Sequence, residues 1–252
     1  MIESTRGTRP EGARDEREAA ARVQEMFAQI TPRYDFLNHF LSLSLDRLWR
    51  RRTARRFASV LRRPDACVLD LCCGTGDLAF ALARKRMRGA GASIVGADFV
   101  EPMLVRARAK PSGAQTQVAF SAADALQLPF PSGVFDLVTS AFGFRNLANY
   151  DAGMREIARV LKRGGEVGIL EFSEPGSGPL AALFRFYFRQ ILPRVGGAIS
   201  GSREAYSYLP ASVGRFPSPQ ELAALMARCG FTDVKCEFWN FGSVLLHRAR
   251  RT

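Results

Sequence analysis

The segment Cys67-Val68-Leu69-Asp70-Leu71 runs straight into Cys72-Cys73-Gly74-Thr75-Gly76-Asp77 and an apolar stretch over residues 78–83. No other feature constrains the fold as much. Five largely apolar residues read as a buried strand, and two glycines one residue apart let the backbone turn tightly into a helix. The pattern recurs downstream. Strands are expected over residues 93–97, 117–120, 134–139 and 167–172, with helices around residues 103–109 and 151–161. This alternation predicts an α/β fold, a mostly parallel sheet covered on both faces. Residues 231–238 and 242–248 look like a closing hairpin, so the last strand is expected to be antiparallel.

The chain ahead of the first strand has another texture. Residues 1–20 are polar, with Gly7, Pro10 and Gly12 interrupting any period, and read as a disordered arm. Val23, Met26, Phe27 and Ile30 form an i, i+3, i+4, i+7 stripe, the mark of an amphipathic helix. Pro32 breaks it, and a Leu- and aromatic-rich stretch leads into a helix carrying Arg50, Arg51, Arg52, Arg55 and Arg56. The expected organisation is one domain over residues 21–252, with residues 21–63 as an N-terminal helical extension on the substrate side.

Composition narrows the partners. The net charge is +12, yet only four of the 36 basic residues are lysine, so the arginine skew is as much a compositional habit as a binding surface. Such charge favours anionic lipid, nucleic acid or an acidic small molecule without choosing among them. Five cysteines lack any C-x-x-C spacing, and two histidines, His39 and His247, read as helix and strand residues. Neither a metal site nor a disulfide framework is expected, which favours a reducing compartment. Nothing resembles a signal peptide, and no apolar run is long enough for a transmembrane helix.

The glycine turn fits neither G-x-G-x-x-G nor a phosphate-binding P-loop. Asp98 ends the second strand, where a carboxylate can accept both hydroxyls of a ribose, and Asp124 follows the third, within reach of an adenine edge. Three strand ends then converge on one crevice. Competing readings are a helix cap for Thr75, a turn cap for Asp124, and loop or core packing for Cys72 and Cys73.

Residues 70–76 resemble the first motif of class I S-adenosylmethionine-dependent methyltransferases. Three further blocks resemble the family that C-methylates quinone precursors in menaquinone and ubiquinone biosynthesis: Tyr34-Asp35-Phe36-Leu37-Asn38 with Leu41-Ser42 and Leu48-Trp49; Phe142-Gly143-Phe144-Arg145-Asn146; and Arg159-Val160-Leu161-Lys162-Arg163-Gly164-Gly165 with Leu170-Glu171-Phe172-Ser173. The similarity runs from Phe27 to His247. It implies a doubly wound, Rossmann-like sheet of seven strands and S-adenosylmethionine as co-substrate, without a metal. Its contacts would be Asp70, Gly74, Thr75, Gly76, Asp98, Asp124, Ala125 and Ala141. Family members commonly carry His at the position of Asp46, Ser or Gly at Ala141, and Pro at Arg163.

C-methylation needs a ring carbon made nucleophilic by loss of a hydroxyl proton, so the protein must orient the ring and stabilise a phenolate. Arg145 is the candidate for that charge, Asn146 for positioning it, and Tyr34, Asn38 and Tyr206 for one wall. Glu171 could orient this group. The competing readings make Arg145 a structural ion-pair partner, and Tyr34 and Asn38 ties between the N-terminal helices. Residues 180–192 combine apolar surface with Arg185 and Arg189, and are expected either to dip into an anionic membrane surface or to pack on the body or across a homodimer interface. The expected acceptor is a prenylated hydroquinone, demethylmenaquinol first and a ubiquinone-pathway benzoquinol second. The expected location is cytoplasmic, on the inner face of the cell membrane. A nucleic-acid methyltransferase lacks support, since no Asn-Pro-Pro-aromatic tetrad or nucleic-acid-binding module is present.

Overall fold

The computed structural model describes residues 7–86, 92–110, 116–175, 178, 182, 185–191, 194 and 203–252. Seven strands, β1 (Cys67–Leu71), β2 (Ser93–Asp98), β3 (Ala119–Ala122), β4 (Phe135–Ala141), β5 (Leu161–Phe172), β6 (Phe231–Trp239) and β7 (Val244–Arg251), form one sheet in the order β3-β2-β1-β4-β5-β7-β6. The first five pair in parallel, and β7 runs antiparallel between β5 and β6. The strand order reverses beside β1, so the crevice at the carboxyl ends of β1 and β4 is where an open sheet of this kind receives a ligand.

Side-chain alternation explains why β1 and β4 are buried along nearly their whole length. Leu69, Leu71 and Val138 enter one core cluster with Met154, Ile157 and Leu222. Val68 and Leu137, on the opposite face, enter another with Phe57, Leu61, Leu78 and Leu82. Both faces are dry, so neither strand keeps a polar side for water. Helices α1 (Glu16–Ile30), α2 (Tyr34–Leu41), α3 (Leu45–Arg56) and α4 (Ala58–Leu61) precede the sheet. Helices α5 (Asp77–Ala83), α6 (Glu101–Ala109), α7 (Tyr150–Val160), α8 (Arg203–Arg215) and α9 (Pro219–Arg228) follow in chain order. The start of α9 is fixed by a capping box in which Ser218 and Glu221 satisfy each other's backbone N–H.

Two expectations need correction. The arm taken to be disordered through residue 20 is ordered from Thr8 onward among the described residues. Thr8 is buried and donates its N–H to Leu147 O at 2.7 Å, Arg9 Nη1 donates to Ala148 O at 3.0 Å, and Asp15 caps α1 by accepting from Glu18 N–H. Polar composition hid this because the segment is held by hydrogen bonds to distant backbone and not by an apolar face. The second concerns Lys162-Arg163-Gly164-Gly165, which fall between the helix expected around residues 151–161 and the strand expected over 167–172 and so read as the turn joining them. Strand pairing has already begun at Leu161 opposite Phe135; the four residues are an excursion within β5, with Gly164 at φ +75°, before Glu166 pairs with Leu137.

Candidate functional site

The chain leaving β1 takes left-handed backbone at Cys72 (φ +53°), Gly74 (+54°) and Gly76 (+82°). That winding turns the Gly74 N–H toward the end of β2, where it donates to Asp98 Oδ2 at 2.7 Å. Val100 N–H donates to Asp98 Oδ1 at 2.9 Å. Burial pushes the Asp98 carboxyl above the ordinary range, and these backbone donors oppose the shift. Gly74, Asp98, Asp124, Ala125 and Asn146 line one cavity. Gly143 lies in its wall, and a Cβ there would fall 2.3 Å from Cys72 Cβ, so the position requires glycine. Asp124 Oδ1 accepts from Leu126 N–H at 2.8 Å, so it caps its turn as well as facing the cavity.

A small crevice beside it is lined by Asp70, Gly74, Thr75, Ala141, Tyr34 and Arg50. Asp70 is 1% exposed; its Oδ1 accepts from Thr139 Oγ1 at 2.9 Å, and its Oδ2 has no hydrogen-bond partner. Burial pushes its carboxyl up to about 7. Thr75 does not cap α5; its hydroxyl donates to Asp35 and accepts from Lys110 Nζ at 2.9 Å. Gly76 borders neither space and is required by packing, since a Cβ there would press on the Phe120 and Phe80 rings at 3.0 Å.

A larger cavity of about 300 Å³ opens alongside, within the size range of small-molecule sites. Phe27, Tyr34, Asn38 and Trp49 come from the N-terminal helices, and Phe142, Arg145 and Phe172 from the sheet side. Tyr34 and Phe142 border both this cavity and the one holding Asp98, so the two spaces adjoin. Arg145 is 5% exposed: Nη1 donates to Glu171 Oε2 at 2.9 Å and to Phe142 O, while Nε has no partner. The Arg145 side chain lies 5.6 Å from the centre of the Phe172 ring. Burial pushes the Tyr34 hydroxyl up, which keeps it protonated as a donor.

The description "ubiE/COQ5 methyltransferase family" belongs to a family model that matches residues 14–251. The chain belongs to this family. It is 48% identical over 222 residues to a demethylmenaquinone methyltransferase of Thermus thermophilus, covering 88% of this chain and 98% of that protein. It is 40% identical to a ubiquinone/menaquinone biosynthesis C-methyltransferase of Geobacter sulfurreducens, covering 93% and 90% of the two chains. A solved SAM-dependent methyltransferase of Aquifex aeolicus superposes with a TM-score of 0.56 at 16% identity, over 79% of this chain and 88% of that one, a likeness of fold.

Within this ubiE/COQ5 chain, the residues singled out from sequence divide among three adjoining spaces. Asp98, Asp124 and Ala125 share the first cavity, Asp70, Thr75 and Ala141 the crevice, and Gly74 borders both. Tyr34, Asn38 and Arg145 share the large cavity, whereas Asn146 borders the first and accepts from Tyr208 Oη at 3.1 Å. The side chain of Tyr206 lies outside the described residues; Tyr208 is the described tyrosine of α8 that lines the large cavity. Arg145 forms an ion pair with Glu171 and also lines the large cavity.

Sequence reasoning missed Arg50 and the cluster behind it. Arg50 is buried, lines both the crevice and the large cavity, and donates to Asp46. Asp46 also accepts from His39 Nδ1 at 2.8 Å and Ser42 Oγ at 2.8 Å. Burial pushes its carboxyl up, but Arg50, Ser42 and His39 together hold it below the ordinary range. Asp77 lies close by, its Oδ1 accepting from Lys110 Nζ at 2.8 Å; the ligand atoms of His39, Asp46 and Asp77 all fall within 4.8 Å of one another. Both carboxylates already face a protein cation, which lowers the charge they offer to any metal ion. The available signal was spacing: Asp46, Trp49, Arg50 and Thr53 recur on one helical face, and all four are buried.

Proposed function

We propose that this protein transfers a methyl group from the sulfonium of S-adenosylmethionine to a ring carbon of a reduced demethylmenaquinone; the C–S bond breaks to leave S-adenosylhomocysteine, the ring carbon loses its proton, and menaquinol results. The observation that carries the reading is Arg145: a buried guanidinium with an unpartnered Nε, in an apolar cavity that adjoins the glycine-loop site across Tyr34 and Phe142.

The residues of the first cavity and the crevice suit a nucleoside bearing a zwitterionic tail. Asp98 supplies carboxylate oxygens at the ribose end, and Asp124 and Ala125 border the base. In the crevice, the orphaned Asp70 Oδ2 suits an α-ammonium and the Arg50 guanidinium an α-carboxylate. When bound, S-adenosylmethionine supplies an electrophilic methyl group on a sulfonium.

The remaining work falls to the large cavity. Its aromatic walls hold a flat ring and exclude water, so a charge developing on a ring oxygen is poorly screened there. Arg145 stabilises that phenolate, and Glu171 keeps the guanidinium in place. Tyr34, kept protonated, donates to a ring oxygen beside Asn38. A prenyl tail leaves by the cavity opening, so the acceptor is taken at the inner face of the cell membrane.

The ubiquinone-pathway benzoquinol is the second reading, favoured by the Geobacter relative, a ubiquinone/menaquinone biosynthesis C-methyltransferase. Incubation with S-adenosylmethionine and each reduced acceptor, followed by product mass analysis, decides between them. Methylation of neither acceptor would overturn the proposal.

A further inference from the structure

The large cavity is open where Leu43 and Asn240 border it, since both are exposed lining residues. Two large apolar side chains are exposed here on different elements, Leu43 itself and Phe241, the chain neighbour of Asn240. Leu43, in the turn between α2 and α3, is 82% exposed; Phe241, between β6 and β7, is 77% exposed. Both have left-handed backbone, at φ +51° and +59°. A bulky residue rarely takes that conformation, and paying for it to hold an apolar side chain in water is a double cost in an isolated protein. Phe36 and Phe40, exposed and stacked with ring centres 5.7 Å apart, add apolar surface on the outer side of α2, turned away from the cavity-lining Tyr34, Asn38 and Leu41. Phe186 adds to it next to Tyr187, whose hydroxyl donates to Leu41 O at 2.8 Å.

The charge beside this patch is of one sign. Arg47, Arg51, Arg52 and Arg55 are exposed on α3, grouped around the partly exposed Leu48. Among the described residues none of these four has a carboxylate partner, whereas Arg56 on the same helix pairs with Glu237 at 2.7 Å. Large exposed apolar groups rimmed by unpaired arginines match a bilayer: rings and aliphatic chains enter the acyl boundary, and guanidinium groups meet lipid phosphate.

We infer that the rim formed by Phe36, Phe40, Leu43 and Phe241, with the arginine face of α3, docks this protein on an anionic lipid bilayer with the cavity opening turned toward the membrane. The occupant is the lipid surface itself. This deepens the reading above, because an acceptor with a lipid tail could then pass from the acyl region into the cavity without crossing water. It places the membrane contact mainly on α2, α3 and the turn between β6 and β7; most of residues 180–192 lie outside the described side chains. No helix among the described residues is long and apolar enough to cross a membrane, so the contact is made from one side.

The test uses the full chain and vesicles of phosphatidylcholine alone or of equimolar phosphatidylcholine and phosphatidylglycerol, with binding read by co-sedimentation. The unaltered protein should bind the anionic vesicles at least about tenfold more tightly, and rising salt should erode the difference. Replacing Arg47, Arg51, Arg52 and Arg55 with Gln should abolish that preference. The triple variant Phe36→Ser, Phe40→Ser, Phe241→Ser should weaken binding to anionic vesicles by at least about tenfold at every salt concentration. None of these residues borders the S-adenosylmethionine spaces, so calorimetric affinity for that ligand should be unchanged and serves as the check on folding. Failure of the unaltered protein to prefer anionic vesicles would overturn the inference, as would unchanged binding by both variants. A dimer dispersed by the phenylalanine variant would instead make the rim a subunit contact. Vesicle binding requires neither acceptor nor methyl donor, so it can fail while methyl transfer stands, and the reverse.

Discussion

Arg145 and Glu171 are joined twice: Nη1 of Arg145 donates to Glu171 Oε2 at 2.9 Å, and the Arg145 backbone N–H donates to Oε1 at 3.0 Å. One carboxylate therefore sets both where the arginine backbone sits and where its guanidinium lies. Burial pushes Glu171 up while Arg145 opposes the shift, and the pair lies under 6% exposed on both sides. The Arg145 Nε is buried and left without a partner.

Arg145→Ala is accordingly expected to slow single-turnover methyl transfer by roughly 10²-fold, about 2–3 kcal/mol of barrier. Arg145→Lys keeps the charge but loses the planar fork, so it should be impaired as well. Affinity for S-adenosylmethionine should change little, because Arg145 borders neither of the spaces assigned to it. Calorimetry beside rapid-quench kinetics checks both points. A rate defect that vanishes at saturating S-adenosylmethionine would move Arg145 to the methyl-donor side.

Asp98 is expected to control affinity and not rate. Its two oxygens accept from Gly74 and Val100 N–H, so Asp98→Asn turns an amide N–H₂ against one of these donors and loosens the glycine turn. Titration should show about tenfold weaker binding of S-adenosylmethionine or worse, with much of the turnover recovered at saturation. Unchanged affinity in a folded variant would remove Asp98 from the ribose.

Asp70 connects the site to stability. Its carboxyl is raised from 3.8 to about 7 in the folded chain, so the folded state binds a proton that the unfolded state has already released. Its contribution to stability is therefore fully present below about pH 4 and is lost as pH rises toward 7. Asp70→Asn removes this dependence. Ligand-free Asp70→Asn should melt at a higher temperature than the unaltered protein at about pH 8, with the difference closing near pH 4. It should also bind S-adenosylmethionine more weakly. Parallel melting curves at the two pH values would contradict the idea that Oδ2 is an orphaned charge.

Gly143 and Cys72 test the wall between the spaces. Gly143→Ala places a methyl group 2.3 Å from Cys72 Cβ, too close to be absorbed without a backbone shift. We expect about 1–3 kcal/mol of lost stability and weaker binding of S-adenosylmethionine. Adding Cys72→Gly removes the opposing Cβ and suits the left-handed backbone there, so the double variant should recover most of both losses. Urea melts and titration on the three proteins provide the comparison.

The residues at strand ends were legible because sheet topology, and not side-chain detail, brings them together. Once β1, β2 and β3 are parallel neighbours, Asp70, Asp98 and Asp124 follow at one edge. The order of residues 8–15 was not legible, since Thr8 and Arg9 are held by the backbone at Leu147 and Ala148, far along the chain. Tyr208 escaped notice for a related reason: its hydroxyl contacts Thr8 at 2.8 Å and Asn146 at 3.1 Å, partners that only folding brings near.

The sharpest division falls within Arg50-Arg51-Arg52. Local sequence determined that these three arginines lie in a helix and that the helix carries strong positive charge. Side-chain chemistry and helix propensity did not distinguish between them; the one local signal was the spacing that puts Asp46, Trp49, Arg50 and Thr53 on a common helical face. Packing of Trp49 against Phe142 and Phe172 set the rotation of α3 about its own axis. Successive residues of a helix point about 100° apart, so that one rotation turned Arg50 inward onto Asp46 and left Arg51 and Arg52 in solvent. The tertiary contact decided which arginine faces the site and which face the solvent.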